Sequence, residues 1–183
     1  MNSAAAVVLD RDGVINVDTP GEYIKHPDEW QPIPGSLEAI ARLTASGRQI
    51  FVVSNQSGVG RGLFTLDVLE AIHQKMRLAV AAAGGELTGI YFCPHRPEDG
   101  CDCRKPATGM LSQISEEWNL TLDGMPFVGD KAADMDAARA VGARAMLVLT
   151  GHGSDTLCAE HSVANEIFPD LAAAVDAIVR RPA

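Results

Sequence analysis

Basic residues and long apolar runs are both scarce in this sequence. Lysine and arginine number 15 against 24 aspartate and glutamate residues, which gives a formal net charge of −9. This balance argues against nucleic acid or an anionic membrane as the main partner. No apolar stretch is long enough to span a bilayer. The first six residues show neither the basic region nor the apolar core of a signal peptide, so we expect a cytoplasmic protein.

The sequence also lacks internal repeats, low-complexity tracts and any stretch typical of a domain linker. Its 183 residues suffice to bury a core, which predicts a single domain over residues 1–183. No exposed apolar stripe demands a partner chain, so we expect a monomer. Only four cysteines are present, and in a cytoplasmic chain cysteines are more often reduced or metal-bound than paired in disulfides.

Short apolar runs alternate with helical patterns along the chain, which predicts an α/β fold. We expect a Rossmann-like three-layer sandwich with a mainly parallel sheet and, since no insertion is large enough, no large cap domain. The predicted strands are Ala5–Leu9, Gln49–Val53, Gly89–Phe92, Pro126–Val128 and Ala145–Leu149. The predicted helices are one capped by Ser36 and ending before Gly47, one that starts at Thr65, and Met110–Trp118, Asp134–Val141 and Leu171–Arg180.

Acidic residues follow the first predicted strand, at Asp10 and Asp12. Side chains two residues apart leave a strand on the same face, and open α/β sheets bind ligands at the carboxyl ends of their strands. Alone, this pair is also typical of a solvated turn. Ser54, Lys105 and Asp130 complete the set, in an order that indicates a phosphatase with an aspartate nucleophile.

Each of these residues has a predicted chemical role. Asp10 is expected to attack phosphorus and form an aspartyl-phosphate. Asp12 is placed to protonate the leaving oxygen and later to activate water. Ser54 would hydrogen-bond a phosphate oxygen, and Lys105 would offset the developing phosphoryl charge.

A cation is needed between the anionic phosphate and the nucleophile. Mg²⁺ prefers one or two carboxylates, and Asp10, Asp130 and the backbone carbonyl of Asp12 would provide such a site. Asp134 follows Asp130 by one helical turn. It could hold either Lys105 or a metal-bound water.

A second metal site is predicted in the cysteine-rich loop, where Cys93, His95, Cys101 and Cys103 supply three thiolates and an imidazole. Four such ligands with no open position are typical of structural Zn²⁺, although the spacings are tighter than in common zinc fingers. The alternative is a pair of buried thiols or a disulfide, with His95 on the surface. Zinc would fold the loop and place Arg104 and Lys105 beside the nucleophile.

The motifs together resemble the haloacid dehalogenase superfamily of aspartate-nucleophile phosphotransferases. They are Asp10-Arg-Asp-Gly-Val-Ile-Asn, Ser54-Asn-Gln-Ser-Gly, Cys-Arg-Lys105-Pro and Val-Gly-Asp130-Lys. Within it the chain is most similar to a largely capless group of cytoplasmic sugar-bisphosphate phosphatases that use Mg²⁺ and contain Zn²⁺. The resemblance implies a small phosphorylated sugar as substrate.

The same resemblance implies substrate contacts that the residues alone do not show. These are Asp18, Ser54, Asn55, Arg104, Lys105 and Lys131. The backbone carbonyl of Lys131 is also expected near the metal. The run from Asp18 to Tyr23 is slightly longer than the corresponding turn of the family, which leaves the role of Tyr23 open.

Four other functions compete with a sugar-bisphosphate phosphatase. A histidinol-phosphate phosphatase would share the motifs, and Asp28-Glu29 would suit its cationic substrate, whereas Arg104 and Lys131 suit a second anionic group. A non-catalytic, zinc-stabilised binding module would be expected to lack one of the catalytic residues, all of which are present. A phosphomutase or a nucleic acid 3′-phosphatase would want a cap or a basic groove. Elsewhere, we expect His73 to be exposed and Cys158 to be buried.

Overall fold

Six parallel strands form one sheet in the computed structural model of this chain, which describes residues 6–18, 22–159, 164 and 166–180. The spatial order of the strands is β3-β2-β1-β4-β5-β6, and every neighbouring pair is parallel. The strands are β1 (Ala6–Leu9), β2 (Gln49–Asn55), β3 (Gly89–Cys93), β4 (Pro126–Gly129), β5 (Arg144–Val148) and β6 (Glu166–Phe168).

Helices connect the strands and cover both faces of the sheet. They are α1 (Ser36–Ala45), α2 (Ser57–Gly60), α3 (Leu66–Ala82), α4 (Gly109–Trp118), α5 (Ala132–Ala140), α6 (Gly153–Ala159) and α7 (Leu171–Val179). Short 3₁₀ helices occupy Pro27–Glu29 and Pro97–Asp99. Among the described residues, none of these helices combines the length and apolarity needed to cross a membrane.

The core lies in two layers, one on each side of the sheet. Alternate residues of β1 point to opposite layers, with Val7 and Leu9 in one and Ala6 and Val8 in the other. Because both faces are covered, the central strands are continuous apolar runs, as expected for parallel sheets. The predicted three-layer α/β sandwich is confirmed, and the sheet is wholly parallel over the described residues. Within those ranges no additional domain covers its carboxyl edge.

Two differences from the prediction have local causes. Strand β6 was not predicted because it has three residues, and such an edge strand gives too short an apolar run to recognise. Ser36 was predicted to cap α1, but Gly35 occupies the cap position with φ of +83°, and the Ser36 hydroxyl instead donates to the Ile15 carbonyl at 2.7 Å. Ala5, at the predicted start of β1, lies outside the described residues.

His73 and Cys158 were predicted in the wrong environments. His73 lies on the apolar face of α3, where it is 2% exposed and packs against the ring of Phe92. It was predicted to be exposed because its neighbours in the sequence are polar. Burial lowers the pKa of His73 to about 3, so the imidazole is neutral. Cys158 lies exposed on α6, a short helix whose outer side faces solvent.

The order of the strands places β1 and β4 side by side at the centre. From β1 the chain moves outward through β2 and β3, and from β4 it moves outward in the other direction. The backbone N–H of Asp10 donates to the Val128 carbonyl at 2.9 Å, which joins the two carboxyl ends. This reversal of strand order is the usual position of a ligand site in open α/β sheets.

Candidate active site

Asp10 and Lys105 form a buried ion pair at the end of β1. Asp10 Oδ1 accepts hydrogen bonds from the Lys105 ammonium and from the backbone N–H of Arg11, both at 2.8 Å. Lys105 Nζ also donates to the Val53 carbonyl at 2.9 Å and lies 2.6 Å from Asp134 Oδ1. The ammonium is therefore fixed in place by three acceptors. Of the two roles considered for Asp134, the contact with Lys105 is the one observed.

Asp10, Asp130 and Asp134 form an acidic cluster in which one oxygen of each carboxylate lies within 4.8 Å of the others. Burial, with the neighbouring carboxylates, raises the pKa of Asp130 to about 8 and that of Asp10 to about 6. Asp130 Oδ1 is buried without a hydrogen-bond partner, and the Lys131 ammonium is 3.5 Å away. Buried carboxylates in this state favour a cation, and the oxygen ligands fit Mg²⁺.

Two glycines make room for the Asp130 carboxylate. Gly13 has φ of +87°, and a Cβ there would lie 2.2 Å from Asp130 Oδ2. Gly151 has φ of +57°, and its Cβ would lie 2.3 Å from the same oxygen. The backbone N–H of His152 donates to this oxygen at 2.8 Å. Both loops therefore pack directly against the Asp130 carboxylate. Only glycine can adopt the positive φ at these positions and also approach the carboxylate this closely.

The Asp12 carboxylate accepts four hydrogen bonds. Arg11 donates from Nε at 3.0 Å and from Nη2 at 2.8 Å, the Asn16 amide donates at 2.9 Å, and the Gln56 amide donates at 2.7 Å. Burial alone would raise the pKa of Asp12, but the Arg11 guanidinium and these donors hold it below its usual range. Asp12 is therefore ionised at neutral pH in the protein without substrate.

Residues at the end of β2 connect the cluster to the cysteine-rich loop. Gln56 Nε2 donates to Ser54 Oγ at 2.6 Å as well as to Asp12, so one amide joins the two side chains. Asn55 and Lys105 exchange two hydrogen bonds, each 3.0 Å long, between the Asn55 amide group and the Lys105 backbone. Asn55 thereby positions the segment that carries the Lys105 ammonium.

Two adjoining cavities open at this edge of the sheet. The catalytic cavity, of about 200 Å³, is lined by Asp10, Asp12, Ser54, Asn55, Arg104, Lys105, Lys131, Ala133 and Asp134. The outer cavity, of about 300 Å³, is lined by Arg11, Asp12, Asp18, Glu22, Tyr23, Ile24, Asn55, Gln56, Lys131 and His152. Asp12, Asn55 and Lys131 line both.

Charged side chains cross the boundary of the two cavities. Lys131 Nζ donates to Asp18 Oδ2 at 2.8 Å, and His152 Nε2 lies 3.3 Å from the same oxygen. The surrounding carboxylates of Asp10, Asp130 and Asp18 outweigh burial and raise the pKa of Lys131. Arg104 lines the catalytic cavity and donates to the His95 carbonyl at 3.3 Å.

The cysteine-rich loop brings its predicted ligands together. Their donor atoms lie within 4.8 Å of one another. The sulfur of Cys93 is 3.5 Å from that of Cys101 and 3.0 Å from that of Cys103, and His95 Nδ1 is 3.3 Å from Cys103. These separations are too long for disulfides, and the three thiols are free. Without a cation, burial raises the pKa of Cys93 to about 12, so the set is suited to the charge of Zn²⁺.

Backbone hydrogen bonds attach this loop to the catalytic residues. The Cys93 carbonyl accepts from the Gln56 N–H at 2.7 Å, and the Pro94 carbonyl accepts from Gly60 at 2.9 Å. A folded loop therefore fixes Gln56 and the short helix α2 that follows it.

The structure brings the predicted site residues to one edge of the sheet. Asp10, Asp12, Ser54, Lys105 and the other predicted substrate residues line the catalytic cavity, except Asp18, which lines the outer one. The Asp10 and Asp130 carboxylates meet, and the zinc ligands form a separate cluster. The assigned roles of these residues remain predictions.

Sequence reasoning missed Arg11, Gln56 and His152. Arg11 resembles a surface cation in the sequence, yet it is 1% exposed. Gln56 lies two residues after Ser54 and could have been inferred to share its face. His152 follows the fifth strand, and its position after a strand end was the available signal.

A buried aspartate–lysine pair beside an acidic cluster, at the switch point of a sheet that carries no cap domain over the described residues, is the arrangement expected of a hydrolase of the haloacid dehalogenase class. A family model described as HAD-hydrolase-like matches residues 102–174. D-glycero-beta-D-manno-heptose-1,7-bisphosphate 7-phosphatase of Pseudomonas aeruginosa is 51% identical over 178 residues, which are 97% of this chain and 99% of the relative.

Solved structures agree with the sequence comparison. The D,D-heptose 1,7-bisphosphate phosphatase of Bordetella bronchiseptica, complexed with magnesium and phosphate, superposes with a TM-score of 0.91 at 44% identity, covering 96% of this chain and 98% of that one. The Burkholderia thailandensis enzyme superposes with a TM-score of 0.76 at 41% identity, covering 96% and 99%. The chain belongs to this family of heptose-bisphosphate phosphatases within the haloacid dehalogenase superfamily. It is an enzyme that hydrolyses phosphoric monoesters.

Proposed function

We propose that this enzyme removes the C7 phosphate of D-glycero-β-D-manno-heptose 1,7-bisphosphate. The observation that carries the proposal is the buried Asp10–Lys105 pair beside the acidic cluster, in a chain 51% identical to a relative of that activity. The β anomer is chosen because the P. aeruginosa relative is named for it. We place the reaction in the synthesis of the lipopolysaccharide-core heptose, in a cytoplasmic monomer.

The nucleophile in this proposal is Asp10. The hydrogen bonds that it accepts from described residues both reach Oδ1, which leaves Oδ2 to attack phosphorus. As the new O–P bond forms, the bond between phosphorus and the C7 oxygen breaks. In this proposal Ser54 Oγ hydrogen-bonds a phosphoryl oxygen, whereas the Lys105 ammonium, whose three N–H groups are already engaged, offsets the phosphoryl charge.

Asp12 acts as the general acid in the first half-reaction and as the general base in the second. The arriving phosphate is anionic, and a like charge beside Asp12 raises the pKa that Arg11 had lowered. Asp12 can then protonate the C7 oxygen as it leaves. In the second half-reaction the carboxylate takes a proton from water, the water oxygen bonds to phosphorus, and inorganic phosphate leaves while Asp10 is restored.

Magnesium would be held by the oxygens of Asp10 and Asp130, which lie together in the acidic cluster, and by the backbone carbonyl of Asp12. When bound, it would neutralise the nucleophile and the phosphate and so reduce their repulsion. Zinc fits Cys93, His95, Cys101 and Cys103, outside the catalytic cavity, in a structural role. Of the acidic pair that would have suited histidinol phosphate, Asp28 lines neither the catalytic nor the outer cavity, whereas Glu29 lines a further cavity beside Asp18, Glu22 and Tyr23.

The proposal is tested by phosphate release in Mg²⁺ from a substrate panel. The panel contains both anomers of heptose 1,7-bisphosphate, histidinol phosphate and fructose 1,6-bisphosphate. We expect the β-heptose bisphosphate to have the highest kcat/KM. A higher kcat/KM for histidinol phosphate would overturn the substrate assignment. The absence of turnover on every substrate would instead support a non-catalytic, zinc-stabilised binding module.

A further inference from the structure

The position of the sugar follows from the position of the acid. If the phosphoryl group lies among Asp10, Ser54 and Lys105, the leaving oxygen must face Asp12. Asp12 lines both cavities, so the rest of the substrate extends from the catalytic cavity into the outer one. The outer cavity, at about 300 Å³, lies at the lower end of the volumes of small-molecule sites.

The lining of the outer cavity contains both hydrogen-bond acceptors and hydrogen-bond donors. Asp18 and Glu22 contribute carboxylates, whereas Lys131 and His152 contribute nitrogen donors. Next to the Asp18 and Glu22 carboxylates a phosphate dianion would be repelled, so we expect the sugar ring, rather than the second phosphate of the substrate, beside this pair. Hydroxyl groups both donate and accept, so a polyhydroxylated ring satisfies this mixture better.

His152 occupies a particular place in this lining. Its backbone N–H binds Asp130, which fixes the residue beside the acidic cluster independently of its side chain. The imidazole is 30% exposed, and its Nε2 lies 3.3 Å from Asp18 Oδ2. Lys131 donates to that oxygen, the imidazole nitrogen lies beside it, and no described residue donates to Asp18 Oδ1.

From this geometry we infer that His152 is a specificity-determining residue that contacts a sugar hydroxyl, together with Asp18. Lys131 holds the Asp18 carboxylate so that Oδ1 accepts from one hydroxyl, and the single Nε2–H of His152 donates to a neighbouring hydroxyl oxygen rather than to Asp18. The inference rests on the proposed function, because it assumes that a heptose is the group carried by the phosphate.

The test compares substrates with and without a sugar for the His152→Ala enzyme. The substrates are the β-heptose 1,7-bisphosphate, the corresponding heptose 7-phosphate and p-nitrophenyl phosphate, all in saturating Mg²⁺. For each heptose phosphate, the ratio of kcat/KM to that of p-nitrophenyl phosphate should fall about 5- to 10-fold, as for one lost hydrogen bond. His152→Gln keeps an N–H donor and should recover part of this ratio. His26→Ala, at an exposed histidine elsewhere, is the matched control.

Three results would overturn the inference. The ratios could remain as in the native enzyme, or kcat/KM could fall equally for all three substrates, as for a structural role. A loss confined to the bisphosphate would mean that His152 meets the second phosphate. Should His152→Ala not fold, His152→Phe fills the space without a donor and is measured instead. Failure of the proposed function is distinguishable, since the native enzyme itself would then show no preference for heptose phosphates over p-nitrophenyl phosphate.

Discussion

Replacement of Lys105 by methionine should destabilise the protein and also impair catalysis. The Lys105 ammonium lies 2.8 Å from Asp10 and 2.6 Å from Asp134, and the residue is 4% exposed. Without the ammonium both carboxylates would be buried uncompensated, because methionine fills the space but carries no charge. Removing one partner of a buried pair typically costs about 3–5 kcal/mol.

Urea unfolding of the Lys105→Met protein, in buffer without added Mg²⁺, measures this cost. At pH 8 we expect the free energy of unfolding to fall by about 3–5 kcal/mol. At pH 5 the loss should be smaller, because the remaining carboxylates can take up a proton. Lys25→Met, at an exposed lysine, should change the free energy by less than about 0.5 kcal/mol. A Lys105→Met loss below about 1 kcal/mol at both pH values would refute the reasoning.

Three further predictions concern the metals and the loops that hold them. Gly13→Ala should abolish activation by Mg²⁺, because its Cβ would overlap Asp130, whereas Gly62→Ala, with φ of +69° and open space around it, should retain activation; equal activation curves would contradict this. In metal-free protein, Asp10 and Asp130 bind more protons folded than unfolded, since their pKa values are raised to about 6 and about 8. The contribution of these groups to stability is therefore greatest at low pH and falls as the pH rises from the ordinary carboxyl value of 3.8 to about 8. Added Mg²⁺ should raise the unfolding midpoint more at pH 8 than at pH 5. Cys101→Ser should lower the zinc content measured by mass spectrometry of the metal and destabilise the loop; native zinc content would mean that the cluster is misread.

The sequence was sufficient to predict those parts of the site that follow from strand ends. Asp10 and Asp130 each come directly after a buried strand, and the topology of parallel sheets places such residues at one edge. The zinc ligands were predictable because they lie close together in the chain.

Contacts between distant segments could not be predicted in this way. Arg11 is buried because the following turn folds over it, and nothing in the local pattern distinguishes it from an exposed cation. The sequence also did not show that the Asn55 amide exchanges hydrogen bonds with the Lys105 backbone, fifty positions further along the chain; its predicted contact with substrate stays a prediction. Such pairings depend on the three-dimensional arrangement of loops, which hydrophobic periodicity does not encode.

The central claim is that Asp10 carries the phosphoryl group during turnover. Rapid quenching of the enzyme with the β-heptose bisphosphate, followed by mass spectrometry of its peptides, tests this claim most directly. We predict one phosphoryl group on the peptide that contains Asp10, and neither label nor turnover in Asp10→Asn. Turnover without label on that peptide, or appreciable turnover by Asp10→Asn, would contradict the account.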